Sequence, residues 1–233
     1  MPNDSMSGGA STVRSHWKPM NPRPKKLRLL RWLPMRLVLT TAPSADRALY
    51  LSFDDGPHPD HTPRLLDLLA AHDARASFFL LGEEAERHPG IVERMVAEGH
   101  LLGNHSWNHP NFTRIDWREQ LAQIEATDRV LERHDGRSVH LFRPPSGHFT
   151  PSLVVRFALR KRGIAYWSYD SLDYQHKPVE ALVGTLRADP PRAGDVVLMH
   201  DDSEATHQAL QRMLPEWRAA GFALRVLPQQ AAA

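Results

Sequence analysis

Alternating strand and helix signals from residue 48 onwards place the tightest limit on how this chain can fold. Short apolar runs predict strands, and patterns with apolar residues three and four apart predict helices between them. The predicted strands cover residues 48–53, 76–81, 101–104, 139–142, 165–169, 195–200 and 222–226. Repetition at this spacing favours parallel strands with right-handed crossovers. Seven such units predict an α/β fold: a distorted or incomplete barrel of the (β/α)7 type, with parallel strands in a single domain.

Glycines follow the predicted helical stretches, at positions where a backbone with positive φ is favoured. They are Gly99, Gly136, Gly163, Gly194 and Gly221. The length of 233 residues suits one barrel without a second domain. Because the chain has no cysteine, disulfides and thiolate metal sites are excluded, and any metal must be held by histidine and carboxylate side chains.

The charge of the chain is unevenly distributed. Residues 1–46 contain eight Lys/Arg and two Asp, a net charge of +6, which leaves −4 for the remainder of a chain whose total is +2. Phosphate binding needs a basic face on the folded domain. The mildly acidic remainder therefore argues against nucleic acid as the main ligand.

Residues 27–39 mix leucines, Trp32 and Met35 with three arginines and Pro34. These interruptions are not typical of a secretory signal or of a transmembrane helix. A basic segment with a tryptophan can make weak contact with an anionic membrane surface. The alternative is a solvated tail with a few residues packed on the domain. We therefore expect a cytoplasmic or membrane-associated protein.

Polar or ionisable clusters follow the predicted strands, at the end where a β/α barrel builds its active site. In the first cluster, Asp54 and Asp55 follow an apolar strand and precede a Gly-Pro turn. Two adjacent carboxylates are costly unless a positive group neutralises them, which indicates a bound cation or a basic partner. A simple Asp-rich turn is the alternative.

The second cluster contains His105 and His109, four residues apart. At this spacing, one helical turn or a tight loop can aim both imidazoles at one ion. Pro110 disfavours helical geometry at His109, so we expect the pair at a strand-to-helix junction. An accidental spacing among fourteen histidines is the alternative.

Three more clusters follow later strands. Arg143 precedes two prolines and Gly147, in a rigid loop that can pair with a carboxylate and present a backbone N–H to an oxyanion. A plain turn is the alternative there. Asp170 and Asp173 follow the next predicted strand, and His200 ends the one after it. A histidine in such a position, taken alone, is more often structural than catalytic.

Taken in order, the five clusters resemble the motifs of the NodB-homology polysaccharide deacetylases, carbohydrate esterase family 4. That family has the series F-D-D-G, H-S/T-x-x-H-P, R-x-P-x-G, D-x-x-D-aromatic and L-x-H. The matching stretches are 53–56, 105–110, 143–147, 170–174 and 198–200. We accordingly divide the chain into a basic, flexible N-terminal segment, residues 1–46, and a NodB-like deacetylase domain, residues 47–233.

The resemblance implies that Asp55, His105 and His109 bind a divalent cation. The ion is usually zinc, with cobalt or another divalent ion as alternatives. It lowers the pKa of its water and polarises the amide carbonyl. The resemblance also implies that Asp54 is the general base and that Arg143 fixes its orientation.

By the same resemblance, His200 is the general acid, Asp173 holds its imidazole, and the backbone N–H of Ser146 stabilises the oxyanion. Leu198 and Tyr174 line a small pocket for the acetyl methyl group.

Two positions depart from the family. Ser146 replaces a residue that is often aromatic, which removes a surface that would line the sugar groove. Tyr174 replaces the commoner tryptophan and keeps an aromatic wall.

The function thus indicated is metal-dependent hydrolysis of N-acetyl groups from an amino-sugar polysaccharide or oligosaccharide, with an N-acetylated glycan as the partner. One alternative is an O-acetyl esterase that acts on a polysaccharide such as xylan. Another is a non-catalytic carbohydrate-binding domain, which predicts loss of the base or of a metal ligand, yet all of these residues are present. An enzyme should keep turnover on soluble oligomers when residues 1–40 are deleted. The glycan and the oligomeric state are left open.

Overall fold

Parallel strands form the centre of the protein. The computed structural model describes residues 21–25, 30, 32–43 and 46–228. Its strands are β1 (Val38–Leu39), β2 (Ala48–Asp54), β3 (Ser77–Leu80), β4 (Leu101–Asn104), β5 (Ile164–Ala165), β6 (Tyr169–Asp170), β7 (Val196–His200) and β8 (Ala223–Leu224). All pairings between these strands are parallel.

The strands pair in the order β4–β3–β2–β7–β6, with β8 beside the start of β2 and β1 beside β5. Phe142 joins the two sets through single parallel bridges, one to Asn104 of β4 and one to Ile164 of β5. The pairing is interrupted between Ala165 and Tyr169, where the chain passes from β5 to β6. This arrangement of parallel strands confirms the predicted α/β fold, a distorted or incomplete barrel in a single domain.

The helices are amphipathic and surround the strands. They are α1 (His61–Ala71), α2 (Gly82–Arg87), α3 (Pro89–Ala97), α4 (Trp117–Asp135), α5 (Pro151–Leu159), α6 (Val179–Ala188) and α7 (Glu204–Ala219). Short 3-10 turns lie at Pro145–Gly147 and Asp173–Gln175. In the part of the chain that the structure describes, no helix has the length and apolar content needed to cross a membrane.

Helix ends follow the local sequence signals. The side chain of Asp116 accepts a hydrogen bond from the backbone N–H of Glu119 at the start of α4, and Gly136 ends that helix with a left-handed φ of 73°. After α5, the predicted glycine is not the left-handed residue: Lys161 takes that conformation, with φ 52°, instead of Gly163. That part of the glycine prediction was wrong, and the turn begins two residues earlier.

Side chains along each long strand alternate between two hydrophobic clusters, as the pleat requires. In β2, Leu49, Leu51 and Phe53 pack in the cluster that most of the helices cover. Ala48 and Tyr50 pack in the second cluster, which includes residues of α5 and of β1. By this alternation Ser52 and Asp54 share the face of the second cluster. The same parity places His200 on that face of β7.

Three predicted strands are markedly shorter than expected, and the one at residues 222–226 contains only β8. In residues 139–142, only Phe142 pairs with neighbouring strands. Val139 is exposed, and His140 is turned towards Asp128 and Asp135 of α4. In residues 165–169, the strand divides into β5 and β6.

Part of the predicted N-terminal segment packs on the domain. Val38 and Leu39 are buried and pair with β5, and the carbonyl of Pro22 accepts a hydrogen bond from the N–H of Asp170. Arg23 forms an ion pair of 3.1 Å with the buried Asp195. Residues 1–20, 26–29, 31 and 44–45 lie outside the described residues, and the boundary at residue 46 stays a prediction.

Candidate active site

Asp54 and Asp55, at the end of β2, direct their carboxylates towards one group of side chains. Successive residues of a strand point to opposite faces. Asp55 departs from this rule because its φ of 72° lies in the left-handed region, which aspartate tolerates better than most residues. Its carboxylate consequently lies within 3.9 Å of His105, His109 and His200.

Asp55, His105 and His109 form a group that could hold a metal ion. Oδ1 of Asp55 lies 3.4 Å from Nε2 of His105 and 3.7 Å from Nε2 of His109. The three ligand atoms lie within 4.8 Å of one another. Among the described residues, Oδ1 of Asp55 is also buried without a hydrogen-bond donor, a costly state unless a cation neutralises it. One carboxylate and two imidazoles fit a divalent cation and leave coordination positions open, as catalytic sites require.

The environment of His105 suits a metal ligand. Nδ1 of His105 lies 2.7 Å from the backbone carbonyl oxygen of Arg143. Because a carbonyl can only accept, Nδ1 carries the proton, and Nε2 of the neutral ring has its lone pair directed towards Asp55. Burial lowers the pKa of His105 to about 3, so the ring is neutral at ordinary pH.

His109 lies in the loop after β4 and is not on a helix. Its backbone has a φ of 60°, and its N–H donates to Oγ of Ser106 at 3.1 Å. The loop precedes Pro110 and α4, which agrees with the predicted junction between a strand and a helix. A tight loop therefore brings the two imidazoles together, with their ring centroids 5.1 Å apart.

Arg143 binds the carboxylate of Asp54. The fully buried guanidinium donates from Nη1 to Oδ1 of Asp54 at 2.6 Å and to Oγ of Ser52 at 3.0 Å. Its Cζ also lies 3.9 Å from the ring centroid of Phe79, a cation–π contact. Burial raises the pKa of Asp54, and the charge of Arg143 opposes that rise. Oδ1 of Asp54 is thus bound by Arg143, and Oδ2 lies 3.8 Å from Nε2 of His105, a member of the metal-ligand group.

His200 and Asp173 form a second pair, in which Asp173 is buried and His200 is partly buried. Nδ1 of His200 lies 2.8 Å from Oδ1 of Asp173. Oδ2 of Asp173 accepts from the backbone N–H of His200 at 2.7 Å and from Oγ1 of Thr206 at 2.9 Å. Burial works against protonation of His200, but Asp173, together with Asp54 and Asp55, outweighs it and raises the pKa of His200 to about 10. Nε2 of His200 lies 3.9 Å from Oδ2 of Asp55, so it faces the metal-ligand group.

Of the three predicted substrate-binding residues, two lie beside His200. Tyr174 is half-exposed, and its ring meets the His200 ring edge-on at 5.7 Å. Leu198 is buried on the same face of β7 as His200. Ser146 is exposed in the turn Pro145–Gly147, with a left-handed φ of 53°. In the region that the structure describes, no hydrogen bond or ion pair links Ser146 to the other site residues.

Among the residues that sequence reasoning missed, Ser52 and Thr206 bond directly to residues of this site. Ser52 bonds to Arg143 and donates to the carbonyl of Val197 at 2.8 Å. Its signal was present, because a polar residue inside an apolar strand needs a buried partner. Thr206 bonds to Asp173 from the first turn of α7, and nothing in its local sequence marks that contact.

Comparisons with known proteins show that the chain is similar to polysaccharide deacetylases. The family profile described as polysaccharide deacetylase matches residues 41–167. The chain is 31% identical to the peptidoglycan-N-acetylglucosamine deacetylase of Bacillus cereus over 201 residues, which cover 84% of this chain and 73% of that protein. It is 33% identical to the chitooligosaccharide deacetylase of Sinorhizobium fredii over 219 residues, which cover 88% of this chain and 99% of that protein.

A solved structure shares the fold. The crystal structure of the Bc1960 peptidoglycan N-acetylglucosamine deacetylase matches with a TM-score of 0.80 and 30% identity, over 85% of this chain and 94% of that chain. The profile match alone spans more than half of the sequence. The chain therefore belongs to the polysaccharide deacetylase family, carbohydrate esterase family 4, as its five motifs indicate.

Proposed function

We propose that this protein is a metal-dependent N-deacetylase that hydrolyses N-acetyl groups of an amino-sugar polysaccharide or oligosaccharide. One observation carries the proposal: the Asp55–His105–His109 group lies beside Asp54, a second carboxylate that is not part of the group and is bound by Arg143. The relatives support it, because their names describe deacetylases of N-acetylglucosamine in peptidoglycan and of chitooligosaccharides.

Asp55, His105 and His109 would hold the cation, for which we propose zinc. When bound, a divalent cation supplies a Lewis acid that polarises the acyl oxygen and makes a water molecule more acidic. The chain contributes a neutral His105 and a carboxylate oxygen of Asp55 that has no hydrogen-bond donor within the part of the chain that the structure describes.

Asp54 acts as the general base in this proposal. Arg143 occupies Oδ1, so Oδ2, which lies 3.8 Å from Nε2 of His105, is the oxygen nearer the reacting water. Burial raises the pKa of Asp54, which makes it a stronger base than an exposed aspartate. Asp54 takes a proton from the water molecule as the oxygen of that water bonds to the acyl carbon.

His200 completes the reaction as the general acid. Asp173 binds Nδ1 and favours the imidazolium form, while Nε2 faces the metal-ligand group. As the C–N bond breaks, His200 gives its proton to the departing amine nitrogen, and the products are acetate and a free amine. We propose that the backbone N–H of Ser146 stabilises the oxyanion, and that Leu198 and Tyr174 wall the acetyl pocket.

Acetate release tests the proposal. The enzyme is incubated with N-acetylglucosamine oligomers and with acetylated xylan, with and without a metal chelator. We expect release from the N-acetylated oligomers, loss of that release with chelator, and recovery when zinc is added. Release from xylan alone would assign O-deacetylation instead. Release from neither substrate, with metal present, would support a binding domain.

A further inference from the structure

The loop that carries both candidate metal-binding histidines has an unfavourable backbone. Ser106 and His109 both have left-handed φ values, 74° and 60°. Such conformations cost free energy for residues other than glycine, and they persist only where the surroundings fix them. Something outside the loop must therefore hold its shape.

Gln123, on α4, contacts the middle of this loop. Its Oε1 accepts hydrogen bonds from the backbone N–H groups of Trp107 and Asn108, at 2.9 and 3.2 Å. Its Nε2 donates to Oδ1 of Asn108 at 3.0 Å. One amide side chain thus fixes two successive peptide groups between His105 and His109.

Asn104 anchors the start of the loop on the same helix. Its Nδ2 donates to the carbonyl of Ile124 and to Oδ1 of Asp128, both at 2.8 Å. Its Oδ1 accepts from the backbone N–H of Ser106 at 2.9 Å. Asp128 is itself fixed by ion pairs with Arg162 and His140. Helix α4 therefore contacts the loop at two places, through Gln123 in the middle and Asn104 at the start.

We infer that Gln123 is a positioning residue for the metal site, because its side-chain oxygen holds the loop so that Nε2 of His105 and of His109 face Asp55. This inference rests on the metal site of the proposed function. Loss of the two acceptor contacts allows the loop to relax, which separates the ligands. Removing an outer-shell partner of a metal ligand typically costs about 10–100-fold in metal affinity, and because Gln123 acts on the peptide groups between the two ligands, we expect the lower end of that range.

Two variants of Gln123 separate its hydrogen bonding from its bulk. Gln123→Met removes both acceptor contacts at a similar size, whereas Gln123→Glu keeps an oxygen for the two N–H groups. Zinc dissociation constants are measured by competition with a chromophoric chelator, and cobalt-loaded proteins give absorption spectra that report ligand geometry. We expect at least a roughly tenfold higher zinc dissociation constant and an altered cobalt spectrum for Gln123→Met. We expect Gln123→Glu to stay close to the wild type.

Gln120→Met is the matched control. Gln120 lies one turn earlier on α4 and donates to the carbonyls of Phe112 and Ile115, beyond the two histidines. This variant should lower the melting temperature of the metal-free protein without weakening zinc binding. Gln123→Ala replaces Gln123→Met if the latter does not fold, with the same expected loss.

Three outcomes would overturn the inference. The first is wild-type zinc affinity in Gln123→Met or Gln123→Ala. The second is a loss of zinc affinity in Gln120→Met equal to that in Gln123→Met. In both cases the metal site itself would stand. Absence of zinc binding by the wild type would instead overturn the proposed metal site, and this inference with it.

Discussion

Two adjacent aspartates in this site have different surroundings. Oδ1 of Asp54 is bound by Arg143, whereas Oδ1 of Asp55 is buried, faces two imidazoles and has no donor in the described ranges of the chain. The positive φ of Asp55 makes this possible, because an extended backbone would direct the two carboxylates to opposite faces. Neighbouring carboxylates in unlike environments can take different chemical roles.

Arg143 contributes to stability as well as to the site. Replacing Arg143 by methionine leaves Asp54 as a buried carboxylate without its partner, which typically costs about 3–5 kcal/mol of unfolding free energy. The double variant Asp54→Asn/Arg143→Met removes both charges and should be more stable than Arg143→Met alone. Urea denaturation of the metal-free proteins measures both effects. A double variant less stable than Arg143→Met would contradict this account of the pair.

The role of His200 can be tested through the leaving group. His200→Gln should slow N-deacetylation by roughly 10²–10⁴-fold, because an amine leaves poorly without a proton. An aryl acetate releases a stable phenolate that needs no proton, so its hydrolysis should fall far less. Steady-state rates on both substrates measure this difference. Equal losses would indicate that His200 does not act as the acid.

At the scale of single elements, α4 links the site to the rest of the fold. Its amphipathic pattern and its end at Gly136 were predictable from the sequence. Its polar contacts were not, because Asp128 meets His140 and Arg162 only after the chain has folded. The strand predicted at residues 139–142 is shortened for the same reason. Two carboxylates of α4 bind the side chain of His140, so His140 does not pair with β4, whereas Phe142 still does.

This buried network predicts a dependence of stability on pH. Burial works against protonation of His140, but hydrogen bonds to Asp128 and Asp135 outweigh it and raise the pKa of His140. The protonated ring therefore stabilises the fold fully below its unfolded pKa of about 6.5, and this contribution is lost as pH rises through the folded pKa.

His140→Gln tests that dependence. It should lower the free energy of unfolding by about 1–3 kcal/mol at pH 6. The difference from the wild type should shrink at pH 9, because the contribution of the protonated ring declines once the pH exceeds the unfolded pKa of about 6.5. Urea denaturation at the two pH values measures it. A difference that is constant, or larger at pH 9, would count against a charged His140.

At the scale of the whole molecule, the sequence predicted the parallel strands and their order along the chain, since β2 and β7 are continuous apolar runs. The convergence of the five clusters followed from the placement of side chains at the carboxyl ends of such strands. The contribution of β1 was not predicted, because arginines and Pro34 interrupt the apolar pattern before it. The roles of Gln123 and Thr206 were not predicted either, because their partners are distant in sequence. Ser52 gave a signal as a polar residue in an apolar strand, but the sequence did not show that its partner is Arg143.

The position of β1 changes what a deletion should do. Removing residues 1–40 takes away Val38 and Leu39, which are buried, and the ion pair of Arg23 with Asp195. Burial of two such aliphatic side chains contributes about 3–6 kcal/mol, so the deletion should destabilise the protein by that order. Denaturant unfolding measures the loss. Turnover on soluble oligomers should fall only with the folded fraction, and a larger fall would assign the segment a role in the site.

The same substitution at the two adjacent aspartates tests the central claim most directly. Asparagine tolerates the left-handed backbone of residue 55, so both variants should fold. Asp54→Asn should bind one equivalent of metal with wild-type affinity and lose roughly 10²–10⁴-fold in turnover. Asp55→Asn should bind metal at least about tenfold more weakly. Metal content and acetate release of the two proteins are the measurement. Normal turnover by Asp54→Asn, or undiminished metal affinity in Asp55→Asn, would contradict the division of roles between them.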